Sequence, residues 1–89
     1  MATLFKTNGE KVYITPKNKK NFTLKELQAH VGGFVEQIPA GAGHVLYVNE
    51  DGRLLNLQLN RKASELVRQF GYAPIVGDAV YCEEKEGLR

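Results

Sequence analysis

Asn60-Arg61-Lys62-Ala63-Ser64-Glu65-Leu66-Val67-Arg68-Gln69-Phe70-Gly71 is the stretch on which the fold turns. Ala63, Leu66, Val67 and Phe70 recur at i, i+3, i+4 and i+7, the spacing that lines up one face of an α-helix. Asn60 stands where a side chain can cap the first free amides, and Gly71 where the chain can leave the helix. The pattern predicts a helix over residues 61–70.

A second helix is marked upstream. Thr23-Leu24-Lys25-Glu26 has the spacing of a capping box, in which the Thr23 hydroxyl serves an amide of the first turn and Glu26 reaches back to the cap. Leu24, Leu27, Gln28 and Val31 share a face, and Gly32-Gly33 offers a left-handed terminator, so the helix is expected over 24–31.

The remaining segments read as strands and turns. Ala2 to Thr15 carries two β-rich runs around Asn8-Gly9, the dipeptide of a two-residue hairpin turn. Pro16 to Asn21 is a polar loop. Phe34 to Ile38 has strand composition, with Phe34, Glu36 and Ile38 on one face, and Pro39 to His44 is a flexible connection to a strand at Val45 to Val48. Asn49-Glu50-Asp51-Gly52 is a turn signal that predicts a second hairpin, pairing that strand with Arg53-Leu54-Leu55. Ile75 to Cys82 returns to strand, with a turn or bulge at Gly77-Asp78. The expected architecture is a small single α+β domain over 1–89, mainly antiparallel sheet with two short helices, ending in a charged tail at 83–89.

Composition fits that size. A chain of 89 residues with 43% hydrophobic and 25% charged residues is globular, with a core too modest for a spacious internal cleft. Assembly into a homo-oligomer would relieve that shortage. Cys82 is the only cysteine and cannot form an internal disulfide. There is no charged-then-apolar leader and no apolar run of about 18 residues, so neither export nor a membrane partner is called for and the expected compartment is the cytoplasm. The net charge of +2 is unevenly spread. Lys6, Lys11, Lys17, Lys19, Lys20 and Lys25 face only Glu10 in the first quarter, whereas Glu26 to Gly52 holds acids and no Lys or Arg. Arg53, Arg61, Lys62 and Arg68 turn the third quarter basic, and Asp78, Glu83, Glu84 and Glu86 turn the end acidic.

Leu24-Lys25-Glu26-Leu27-Gln28, Val31-Gly32-Gly33-Phe34-Val35-Glu36, Val48-Asn49-Glu50-Asp51-Gly52, Leu59-Asn60-Arg61-Lys62-Ala63 and Val76-Gly77-Asp78-Ala79 form an ordered series. Over residues 22–82 this series resembles the domain-of-unknown-function family numbered thirty-eight forty-six, with the N-terminal hairpin less typical of it. The resemblance implies a small α+β domain carried by a phage or mobile element, and it brings no catalytic residues with it.

The residues themselves favour binding over catalysis. His30, His44 and Cys82 are scattered, without the spacing of a metal site, so no metal or cofactor is expected. Ser64 has no nucleophile elbow, and Cys82 lies beside Glu83, which disfavours a thiolate. Glu36 and Glu50 are not brought together by spacing, and the glycines before His44 lack the ending of a phosphate loop. Asn60-Arg61-Lys62 carries more: cations at a helix start oppose the macrodipole unless an anion compensates. The expected function is a non-enzymatic protein that sequesters a small anionic ligand, such as a nucleotide defence signal, in a phage-infected host cytoplasm. Arg61 and Lys62 would neutralise phosphate, Asn49 and Asn60 supply directional hydrogen bonds, and Tyr47 or Tyr81 offer a face to a base. One alternative is a module that engages a host or phage protein through a strand edge or the Ala63-Leu66-Val67-Phe70 face. The other is nucleic-acid binding, with Lys17, Lys19, Lys20 and Arg61 on the backbone.

Overall fold

The computed structural model describes residues 2–88. Five strands, β1 (Ala2–Phe5), β2 (Lys11–Ile14), β3 (Val35–Pro39), β4 (His44–Asn49) and β5 (Ala79–Glu83), form one antiparallel sheet in the order β2-β1-β5-β4-β3. Two helices, α1 (Leu24–Val31) and α2 (Arg61–Arg68), complete an α+β fold.

Strand alternation divides the core into two layers. Leu4, Val45, Tyr47, Val80 and Cys82 point to one face, where Phe22 and Leu27 of the α1 segment cover them. Phe5, Leu46, Val48 and Ala79 point to the other, beneath Ala63 and Val67 of α2. The sheet is thus the middle of three layers. Its interior strand β4 is buried from Val45 to Asn49 on both faces, and each large apolar side chain removed from water there contributes about 1.5–3 kcal/mol.

α1 runs over the expected residues because its signals are local. The Thr23 hydroxyl accepts from the Glu26 amide at 3.2 Å, Glu26 accepts from the Thr23 amide at 2.9 Å, and Gly32 takes the left-handed conformation at φ 79°. α2 stops at Arg68, two residues before the expected end, and Phe70 instead lies across Gly41, where a Cβ would collide with its ring.

Other elements differ from the expectation. The first hairpin closes through a three-residue loop, Thr7 to Gly9: Lys6 donates to the Glu10 carbonyl at 2.9 Å, and only Gly9, at φ 94°, has a positive φ there. The second hairpin does not form. Asp51-Gly52 does turn the chain, but residues 51–56 continue as turns, with the Leu55 amide on Asp51 at 2.9 Å and the Leu57 amide on Gly52 at 3.0 Å. Leu54 is 85% exposed. The physical reason is the two-sided apolar character of Val45 to Val48, which suits a central strand. Both edges of β4 are taken, by β3 through the Pro39-to-His44 connection and by β5. Phe34 lies outside β3 and is exposed, leaving Ile38 as the buried residue of its expected face. The last strand begins only at Ala79, because Gly77, at φ 84°, diverts residues 75–78 into a single bridge between Leu59 and Val76. The expected charged tail starts inside β5 and continues as a 3-10 turn at Glu84–Glu86 that docks on the core: Phe22 donates to the Glu86 carbonyl at 2.7 Å. Arg89 lies outside the described residues.

Candidate functional site

The start of α2 is built around Asn60, which is 1% exposed. Its Oδ1 accepts from the Ala63 amide at 3.1 Å, and its Nδ2 donates to the carbonyls of Phe5 at 2.8 Å and Gly77 at 2.9 Å. Every hydrogen-bonding group of this amide is therefore spent inside the fold. Ser64 is committed as well, donating to the Asn60 carbonyl at 2.6 Å and accepting from the Ile75 amide at 2.8 Å. The helix start is thus fixed rigidly to β1 and to the segment before β5. Arg61 and Lys62 stand exposed on it, the first turn holds no acid, and no ion pair occupies either cation among the described residues.

Beside α2 the sheet is open, and a groove of about 470 Å³ runs along the helix. Lys62, Glu65 and Leu66 form its helix wall, Phe5 and Tyr81 its floor, and Lys11 of β2 its far end. The floor is aromatic and ordered. Tyr81 meets Phe5 edge to face, with ring centroids 6.2 Å apart, and stacks on His44 at 5.0 Å with 7° between the planes. His44 is also held by its Nδ1, 3.1 Å from the Ala42 carbonyl. An aromatic floor between two lysines offers stacking to a planar ring and compensation to an anion.

The sequence-derived set divides accordingly. Lys62 and Tyr81 meet in this groove, and Arg61 stands on the same helix outside it. Tyr47 and Asn49 are on the opposite side of the sheet. Tyr47, 1% exposed, packs in the α1 layer, donating to Gln37 Oε1 at 2.9 Å and accepting from the Leu88 amide at 2.8 Å. Burial pushes its hydroxyl pKa above the ordinary tyrosine value. Asn49, 5% exposed, ties β4 to the end of α1, donating to the Val31 carbonyl at 3.1 Å and accepting from the Asp51 amide at 2.8 Å. Tyr47 and Asn49 therefore act as internal braces, as does Asn60. Lys11 and Phe5 were missed as groove residues, although a signal existed: the hairpin register pairs them and puts both on the face of Tyr81.

A second groove, about 270 Å³, lies between the β3–β4 end and residues 72–76. It brings Glu36 and Glu50 to one rim with Arg53, whose guanidinium donates to the Pro74 carbonyl at 2.7 Å. Of the Ala63-Leu66-Val67-Phe70 face, Ala63 and Val67 are fully buried in the core, whereas Leu66 lines the α2 groove and Phe70 is exposed. Lys17, Lys19 and Lys20 sit in the loop leading to α1, across the sheet from Arg61 and Lys62. Cys82 is buried beneath α1, and burial, helped by the Glu86 carboxylate, pushes its thiol up to about 12. No group of three or more His, Cys, Asp or Glu placed to hold a metal ion forms among the described residues, and none of their helices is long and apolar enough to cross a membrane.

No curated protein and no solved structure matches the chain. A family model does, over residues 1–88, so that the match takes in the N-terminal hairpin as well as the motif series from Leu24 to Ala79. The chain belongs to the family described as Domain of unknown function (DUF3846).

Proposed function

We propose that this protein is a non-enzymatic binder that captures a small anionic ligand bearing an aromatic ring, of the nucleotide class, in the groove beside α2. The observation that carries this reading is the union of Lys62, Lys11 and the Phe5–Tyr81 floor in one open groove. Its volume of about 470 Å³ is of the size that holds a mononucleotide. Phosphate would sit between the two ammonium groups and the base on the exposed side of Tyr81, with Gln69 and Glu65 available to its polar edge. Two facts support binding rather than turnover: Ser64 is bound up in the anchoring of α2, and Cys82 is buried in its thiol form at neutral pH. Encoded by a phage or mobile element, such a protein would act as a sponge that withholds a nucleotide defence signal from its receptor. Calorimetry against a panel of linear and cyclic nucleotides tests the reading. Binding that weakens roughly tenfold in Lys62→Ala is expected, from the loss of a charge-assisted contact; no heat from any nucleotide would remove the proposal.

A further inference from the structure

We propose that two copies of the chain join through β2, strand to strand and antiparallel about Val12, so that the partner's Tyr13 comes to lie against Lys11 at the open end of the groove. The pairing stands on the features of β2; only the added role of Tyr13 in ligand capture rests on the function proposed above.

The sheet ends at β2 on one side and β3 on the other. β3 is blunted, since Pro39 lacks an amide hydrogen and Glu36 and Gln37 are exposed polar residues. β2 has little of this protection. Its register with β1 is unbroken from Ala2–Ile14 to Phe5–Lys11, it contains no proline or bulge, and Lys11 is its one charge. Only its end residue Ile14 packs against the α1-side core, whereas Val12 is 38% exposed on that face and Tyr13 68% exposed on the α2 side. The main contacts of α1 are with β3, β4 and β5, and the buried residues of α2 share a core with residues of β1, β3, β4 and β5. An apolar edge strand exposed on both sides at its middle residues is a template for another strand.

A second copy fits that template by its own pattern. The bond from the Lys6 amide to Glu10 sets the ladder alternation, so that Val12 and Ile14 bond inward to β1 while Lys11 and Tyr13 turn their amides and carbonyls outward. Antiparallel pairing about Val12 sets Lys11 opposite the partner's Tyr13 and Val12 opposite the partner's Val12. Like charges are kept apart, and each cation meets an aromatic ring. Tyr13 shares the sheet face of Lys11, Phe5 and Tyr81, so the ring arrives on the groove side.

Sedimentation velocity on the full chain, without ligand, tests the pairing. The wild type is expected to sediment at twice the chain mass, and Val12→Lys, which sets two ammonium groups face to face at the axis, at the chain mass with unchanged far-ultraviolet circular dichroism. Val12→Cys is expected to give a covalent dimer on mild oxidation, because opposed non-hydrogen-bonded residues lie about 4.5 Å apart at Cα, within disulfide reach. The buried Cys82 does not compete. A wild type that stays monomeric at every concentration, or a Val12→Cys variant that stays unlinked, would overturn the proposal whether or not nucleotides bind.

Discussion

The Asn60 side chain and the Phe5 carbonyl, 55 positions apart, are joined by a hydrogen bond of 2.8 Å. That bond, with its companion to Gly77, fixes the start of α2 over the edge of β1 and so sets the wall and floor of the groove relative to one another.

Asn60→Ala therefore removes a cap and strands two buried carbonyls at once. A loss of about 3 kcal/mol in unfolding free energy is expected, from roughly 1 kcal/mol for the cap and a similar amount for each internal bond. Asn60→Asp keeps the cap but turns a donor into a carboxylate facing the Phe5 and Gly77 carbonyls, and it is expected to be at least as destabilising. Urea denaturation of the two variants measures both effects; an Asp variant as stable as the wild type would contradict the assigned bonds.

Tyr47→Phe isolates the brace between the core and the C-terminal segment. Its hydroxyl links Gln37 to the Leu88 amide, so its removal is expected to cost about 1 kcal/mol and to speed amide exchange at Leu88, with little change in β4. Hydrogen exchange by NMR reads the two regions separately.

Glu26 gives the fold an acid-sensitive element. Backbone donors from Thr23 and then Lys17 hold its carboxyl pKa below the ordinary 4.5. A lowered folded-state value means that its contribution is present in full above about 4.5 and fades as the pH falls through the lowered value. Urea midpoints of wild type and Glu26→Gln are thus expected to differ at neutral pH and to converge in acid. A gap that is constant with pH would contradict the role given to the ionised carboxylate.

What the sequence reveals, and what it conceals, follows from the range of each interaction. α1 is legible to the residue because the capping box and Gly32 act within a few positions. The turn at Asp51-Gly52 is equally legible, but the partner of β4 is not, since β5 arrives from more than thirty positions away. The unbroken apolar run Val45 to Val48 was the available sign of a strand covered on both faces. Arg61 and Lys62 stand exposed at the start of α2, whereas Asn49, Asn60 and Tyr47 look like ligand groups until their carbonyl and amide partners, drawn from distant segments, are known. The groove itself is a product of register: Lys11 faces Phe5 across the hairpin, Tyr81 joins them from β5, and only the assembled sheet puts these three beside Lys62.

Titration calorimetry of the wild type, Lys62→Ala and Lys17→Ala against the same nucleotide panel tests the central claim most directly. Lys62 lines the groove beside Tyr81, whereas Lys17 lies across the sheet at the start of α1. The expected result is saturable binding of at least one nucleotide, weakened roughly tenfold in Lys62→Ala and unchanged in Lys17→Ala. Absence of binding throughout, or equal losses in the two variants, would contradict capture at the α2 groove.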